Sequence, residues 1–222
     1  MIDKRVKDLA TAVADIRDGA TIFYAGFGQV GEPVELVDAL LAQGARDLTL
    51  VANNGGTGEV GLSKLIKERR VRKLICSFPR TTDSHCFEEA YREGRIELEL
   101  VPQGTLSERI RAAGAGVAGF YVRVGAETKL AEGKETRVFD GHLHVLEKPL
   151  KGDVALIRAE KGDRWGNLVY RKSARNFNPV MAMGARLAIA QVKEIVALGA
   201  LDPESIHTPG IFVDRVVAFG PA

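Results

Sequence analysis

Thr21-Ile22-Phe23-Tyr24-Ala25-Gly26-Phe27-Gly28-Gln29-Val30-Gly31-Glu32-Pro33 runs from a β-rich segment through three glycines to a proline suited to the first turn of a helix. Leu36, Val37, Leu40 and Leu41 then recur at helical spacing, Gly44 stops them, and Leu48-Thr49-Leu50-Val51 is again β-rich. Strand, helix, strand predicts a parallel pair joined by a right-handed crossover.

Outward from this unit the alternation continues. A glycine-rich turn, Asn53-Asn54-Gly55-Gly56-Thr57-Gly58, follows the second strand. Residues 60–69 read as helix, 71–77 as a third strand and 83–92 as a further helix. Before all of these, residues 5–17 place Val6, Leu9, Ala10, Val13 and Ile16 on one helical face. Glu97-Leu98-Glu99-Leu100-Val101 alternates as a half-buried strand does, and Pro102 and Gly104 stop it. Thr105 and Glu108 have the spacing of a capping box, which predicts a helix from there that fades through Gly114 and Gly116. The expected fold is therefore α/β, an open, mostly parallel, doubly wound sheet with helices on both faces.

The second half reads as richer in antiparallel strands. Lys134–Asp140 and His142–Leu146 flank an Asp140-Gly141 hairpin turn. Residues 154–158 and 168–170 are strands around a turn at 162–167, residues 180–190 suggest a helix, and 194–198 and 212–219 are late strands. No tandem repeat or linker is expected, so residues 1–222 read as one domain.

A net charge of +2 with interspersed signs gives no reason to expect nucleic acid. No apolar run approaches the roughly 20 residues that cross a bilayer, and the charged N-terminus leads into no signal core. The two cysteines, Cys76 and Cys86, match no metal or redox spacing, and a reducing cytoplasm is the simplest setting. His142 and His144 share a strand face but lack a third ligand, so no metal is expected. His85 and Cys86 are adjacent, a spacing that does not readily give nucleophile geometry. No G-x-S-x-G elbow is present.

Gly26-Phe27-Gly28-Gln29-Val30-Gly31 fits G-x-G-x-x-G between strand and helix, the setting of a dinucleotide fingerprint. That fingerprint needs an acid at the end of the second strand to hold a ribose. Neutral Asn53-Asn54 stand there, which argues against a nicotinamide oxidoreductase. What survives is a backbone that an anion or thioester can approach closely, ahead of a helix dipole. Gln103, Asn53, Asn54 and Arg80 all follow strands on what should be one carboxyl edge, where open α/β sheets bind ligands. An amide there can orient a carbonyl, and a guanidinium can pair with a carboxylate. For each the alternative is a residue that only shapes its loop.

These motifs together resemble the α (A) subunit of class I CoA-transferases. The likeness runs through Gly26-Phe27-Gly28 with Gly31 and Pro33, Asn53-Asn54, Pro102-Gln103-Gly104-Thr105-Leu106-Ser107-Glu108-Arg109 and Gly114-Ala115-Gly116, over nearly the whole chain. Cys76-Ser77-Phe78-Pro79-Arg80, Glu132 to Arg137, Gly162 to Leu168 and Thr208 to Val213 are similar to the 3-oxoadipate branch rather than the acetoacetate branch.

The resemblance implies transfer of CoA from succinyl-CoA to a 3-oxo acid through a glutamyl-CoA thioester on a β subunit, a step of aromatic-compound degradation by the β-ketoadipate route. It further implies a heterotetramer of two α and two β chains, with CoA as substrate and no permanently bound cofactor. The nucleophile's Ser-Glu-Asn-Gly context is absent here, so this chain alone should be inactive. Ala25, Gly26, Phe27, Gly28, Gln29, Val30 and Gly31 would be the CoA-binding loop. Gln103 would hold the acyl oxygen or carboxylate, with Asn53, Asn54 and Arg80 on the substrate. The alternatives are acetoacetate or another carboxylic acid as acceptor, a dinucleotide-binding oxidoreductase, and a non-catalytic scaffold. Two departures stand out: Ala25 where the family usually has glycine, and Phe120 to Thr128, where Arg123 and Glu127 put new charges beside the presumed site.

Overall fold

The computed structural model describes residues 2–219. Seven parallel strands form the main sheet, in the order β11 (Arg215–Ala218), β10 (Ala185–Val196), β8 (Gly152–Asp163), β1 (Thr21–Tyr24), β2 (Leu48–Asn54), β3 (Val71–Phe78) and β4 (Glu97–Leu100). A short strand, β9 (Leu168–Val169), pairs antiparallel with β8. The chain moves outward from β1 to β4, then returns to the other side of β1 as β8. That reversal places a crevice at the carboxyl ends of the central strands.

Alternation along each strand explains why both faces are covered. Ile22, Tyr24, Leu50, Leu74 and Leu156 point to one face, where they meet Val13, Leu36, Leu40, Leu65 and Phe87 of α1 (Leu9–Val13), α2 (Val34–Gln43), α3 (Leu62–Lys67) and α4 (His85–Arg92). Phe23, Val51, Ile75, Ala155 and Ile157 point to the other, against Leu106, Ile110 and Met181 of α5 (Gln103–Ala115) and α6 (Asn178–Gly184). A strand buried on both faces is mostly apolar, and β2 is buried at all seven positions, with polar Asn53 and Asn54 only at its carboxyl end and Thr49 near its start.

The antiparallel content expected of the second half is a separate three-stranded sheet, β5 (Phe120–Val122), β7 (His142–Glu147) and β6 (Thr136–Phe139), together with the β8–β9 pair. Its hairpin turns at Asp140-Gly141, both at positive φ. The same half returns β8, β10 and β11 to the parallel sheet.

Three local expectations change. Residues 5–17 are not one helix: α1 is short and capped by Asp8, whose carboxylate accepts from Thr11 N. The segment before it pairs instead with the sheet edge, Val6 N donating to Val216 O at 2.9 Å and Val216 N to Lys4 O at 2.8 Å. Residues 180–190 divide between α6 and the start of β10. Their alanines suit a helix by propensity, but pairing with β8 from Ala185 on and with β11 from Ile189 on, with Ala188 to Ala190 fully buried, imposes a strand on 185–190. The capping box at Thr105 does not form. The helix begins two residues earlier at Gln103, with extended Pro102 before it; Thr105 is buried and Glu108 pairs with Arg111.

Candidate active site

The carboxyl ends of β1, β2, β3 and β4 meet around a cleft of about 690 Å³. Phe27, Gly28, Asn53, Asn54, Arg80 and Gln103, expected from the sequence to share an edge, all line it. Ser77, Phe78, Thr81 and Thr82 line it too and were not anticipated. The signal for them was present: they continue the β3 strand into the loop that carries Arg80.

The cleft's polar centre is one hydrogen-bonded cluster. Asn53 Oδ1 accepts from Gln103 Nε2 at 2.8 Å and from Ser77 Oγ at 2.7 Å. Gln103 opens α5, so its amide stands where the helix dipole favours negative charge. Each amide NH₂ carries two N–H groups, and among the described residues no protein acceptor takes Asn53 Nδ2 or the second N–H of Gln103. Asn54 acts differently: its Oδ1 accepts from Gly56 N at 2.8 Å and so shapes its own loop. Arg80 is exposed and, among the described residues, is the one ionisable side chain lining the cleft. A cleft with amide donors, a helix N-terminus, one guanidinium and no carboxylate suits an anionic, carbonyl-bearing ligand.

Ala25 to Gly31 forms a small hairpin. Phe27 N donates to Val30 O at 3.1 Å and Val30 N to Phe27 O at 3.2 Å, which turns the chain at Gly28-Gln29 and leaves Phe27 and Val30 about half exposed. Asn176 Nδ2 donates to Val30 O at 2.9 Å and the fully buried Asn178 to Gly31 O at 3.2 Å, fixing the hairpin to α6. Gly31, at φ +76°, is required: a Cβ there would lie 2.7 Å from Ala174 O.

The structure exposes a repeat that the sequence reading overlooked. Gly56-Thr57-Gly58-Glu59-Val60-Gly61 has the spacing of Gly26 to Gly31 thirty residues on, and Thr57 bridges Val60 as Phe27 bridges Val30. Both glycine triplets take positive φ. The second copy packs against Asp83 O through Gly58 N and does not line the cleft.

Glu32 was also missed. It is 7% exposed and accepts from Tyr24 Oη at 3.0 Å. Burial pushes its carboxyl up to about 7, against the opposing effect of the Tyr24 hydrogen bond. Burial likewise raises the Tyr24 hydroxyl well above its ordinary range. The Tyr24–Glu32 pair therefore braces the base of the hairpin and does not face the cleft.

The adjacency of His85 and Cys86 proves no obstacle to contact. His85 Nδ1 lies 2.7 Å from Asp83 Oδ1, and its Nε2 is 3.3 Å from Cys86 Sγ, because the first turn of α4 folds the ring back over the thiol. Burial raises the Cys86 thiol, and Gly58 O accepts from it at 3.4 Å, so it is held protonated rather than activated. Among the described residues no group of three His, Cys, Asp or Glu side chains could hold a metal. Phe120 to Thr128, where Arg123 and Glu127 were expected beside the site, belongs to β5 and the segment after it and lines no part of the cleft. A second hollow, of about 600 Å³, opens at the opposite, amino edge of the sheet, where Asp15 and Arg215 already satisfy one another at 2.7 Å.

A family model described as coenzyme A transferase matches residues 6–218. The A subunit of a 3-oxoadipate CoA-transferase from Pseudomonas putida is 60% identical over 222 residues, covering all of this chain and 96% of that protein. The A subunit of a probable succinyl-CoA:3-ketoacid coenzyme A transferase from Bacillus subtilis is 48% identical over 202 residues, covering 91% of this chain and 84% of that one. The crystal structure of an acyl-CoA transferase from Escherichia coli O157:H7, solved as a thioester complex with CoA, superposes with a TM-score of 0.84 at 24% identity. It covers 98% of this chain and 50% of its own length.

Proposed function

Because this chain belongs to the coenzyme A transferase family, we propose that it is the A subunit of a transferase that moves CoA from succinyl-CoA to 3-oxoadipate. The observation that carries the reading is the composition of the cleft: amide donors of Asn53 and Gln103 at a helix N-terminus, with Arg80 as the lone charge. Such a wall stabilises a developing oxyanion and holds a carboxylate, but it offers no carboxylate nucleophile of its own. On this reading a glutamate of a B subunit faces the cleft.

In the first step the glutamate carboxylate attacks the succinyl thioester carbonyl, the C–S bond breaks, and CoA thiolate leaves behind a mixed anhydride. The thiolate then attacks the glutamyl carbonyl, expelling succinate and giving the glutamyl-CoA thioester. The acceptor carboxylate repeats both steps in reverse. No redox change occurs, and the thioester bond is conserved throughout. Gln103 and Asn53 supply N–H donors to each tetrahedral oxyanion, while Arg80 pairs with the distal carboxylate of the dicarboxylic acceptor. The hairpin Ala25 to Gly31 gives the thioester a close backbone approach. Residues 1–222 act as one domain, since strands of both halves share the main sheet. On this reading two A and two B chains assemble in the cytoplasm.

The test is reconstitution. The chain mixed with its B partner should exchange CoA between succinate and 3-oxoadipate, and Gln103→Ala should lower kcat by about 100-fold, the scale of one oxyanion donor. Equal activity of wild type and variant would mark this chain as a scaffold.

A further inference from the structure

We infer that the phosphate-bearing end of the CoA thioester is held on the outer flank of the Phe27–Val30 hairpin, by Arg171 and Lys172. The inference rests on the function proposed above and deepens it by dividing the substrate between two sides of one loop.

Residues of the hairpin line three hollows: Phe27 and Gly28 the cleft, Phe27 a second, and Gln29 to Gly31 a third. On its inner flank lies the cleft with Asn53 and Gln103. Beneath it a narrower hollow of about 240 Å³ shares Phe27 and Gln103 with that cleft and adds Ser107, Asn176 and Phe177. On the outer flank a third hollow, of about 340 Å³, opens between Gln29 to Gly31, Arg158 to Glu160 of β8 and the segment Arg171 to Ala174. Asn176 and Asn178 tie that last segment to the hairpin through Val30 O and Gly31 O, so the walls hold a fixed relation to one another.

The chemistry changes along this path. The inner cleft carries amide donors for a reacting carbonyl. The middle hollow sets two phenyl rings beside a hydroxyl and an amide, a surface suited to an alkyl chain interrupted by amides. The outer hollow is cationic, with Arg158, Arg171 and Lys172 against a single carboxylate, Glu160. Glu160 already lies 3.5 Å from Lys193 Nζ. Arg158 is committed as well: its guanidinium lies 4.3 Å above the Phe219 ring and 3.6 Å from Glu35. Arg171 and Lys172 are exposed and make no ion pair among the described residues. A ligand with a thioester at one end, an amide-bearing arm, and phosphates at the other matches that order. Unpaired guanidinium and ammonium groups are the donors phosphates take.

The experiment uses the wild-type complex with its B partner and the variant Arg171→Gln/Lys172→Asn, which removes both charges; asparagine suits the left-handed backbone of Lys172, at φ +51°. Lys151→Ala, at the amino edge of the sheet, is the charge control. Donor kinetics are measured with succinyl-CoA, succinyl-dephospho-CoA and succinyl-pantetheine. For the double variant KM for succinyl-CoA should rise about tenfold with kcat within about twofold, and the rise should shrink as salt is added. KM for succinyl-pantetheine should stay unchanged, because that donor has no phosphate to lose. An unchanged KM for succinyl-CoA overturns the site. So does an equal rise for all three donors, which would mean the segment only supports the hairpin. A wild-type complex that turns over none of these donors overturns the proposed function itself, and this site with it.

Discussion

Glu32→Gln tests how the hairpin is braced. The carboxyl is 7% exposed, burial pushes it from its ordinary 4.5 up to about 7, and its protein partner is the Tyr24 hydroxyl. A group whose folded value lies above its unfolded one binds its proton more tightly when folded. Its stabilising effect is therefore complete below about 4.5 and is lost as pH rises toward about 7. Over that interval, at about 1.4 kcal/mol per pH unit, the ionised side chain destabilises the fold by roughly 3 kcal/mol at pH 8. Glutamine keeps an oxygen that can accept from Tyr24 and carries no charge, but its NH₂ has to be housed, at a cost of about 1 kcal/mol or more. The variant should thus be more stable than wild type by about 1–2 kcal/mol at pH 8, or roughly 2–8 °C in Tm for a chain of this size. At pH 5 the gain should vanish. Thermal and denaturant melts of both proteins between pH 5 and 8.5 measure this directly. A Tm difference that stays constant across that range would refute the reasoning, since only titration of Glu32 makes it vary.

Other substitutions probe the cleft. Arg80→Ala should raise KM for a dicarboxylic 3-oxo acid about tenfold or more in the reconstituted complex, and leave monocarboxylic acetoacetate unaffected, as expected for loss of a charge-assisted pair. Ser77→Ala removes one of the two hydrogen bonds into Asn53 Oδ1. Its cost should be about 1 kcal/mol, seen as a several-fold fall in kcat with little change in Tm. Gly31→Ala would drive a Cβ to 2.7 Å from Ala174 O at φ +76°. It should lower stability by about 1–3 kcal/mol and raise KM for the thioester, measured by melts and donor kinetics on one preparation. Asn178→Ala strips the buried amide that joins Arg158 N, Gly31 O and Ala174 O. A loss of about 2 kcal/mol or more is expected, from groups left unpaired.

The parallel sheet and the edge that carries the cleft were legible in the residues alone. The apolar strands β1 to β3 and the alternating strand β4, each followed by a helix, had only one short-connection solution. Because side chains at strand ends must project from the carboxyl edge, Asn53, Arg80 and Gln103 could be placed together from their positions in the chain. Residues 185–190 depended on the assembled fold: their alanine-rich composition favours a helix, but pairing with β8, and with β11 from Ile189 on, with Ala188 to Ala190 fully buried, outweighs propensity. Glu32 and Ser77 were invisible for the same kind of reason. A glutamate beside a proline looks solvated until the packing of Tyr24 and Gly26 around it removes water, and a serine in a strand is ordinary until Asn53 arrives from the neighbouring strand. Local pattern fixes where each side chain leaves the backbone. What surrounds it, and therefore its charge and its partners, depends on residues distant in the chain.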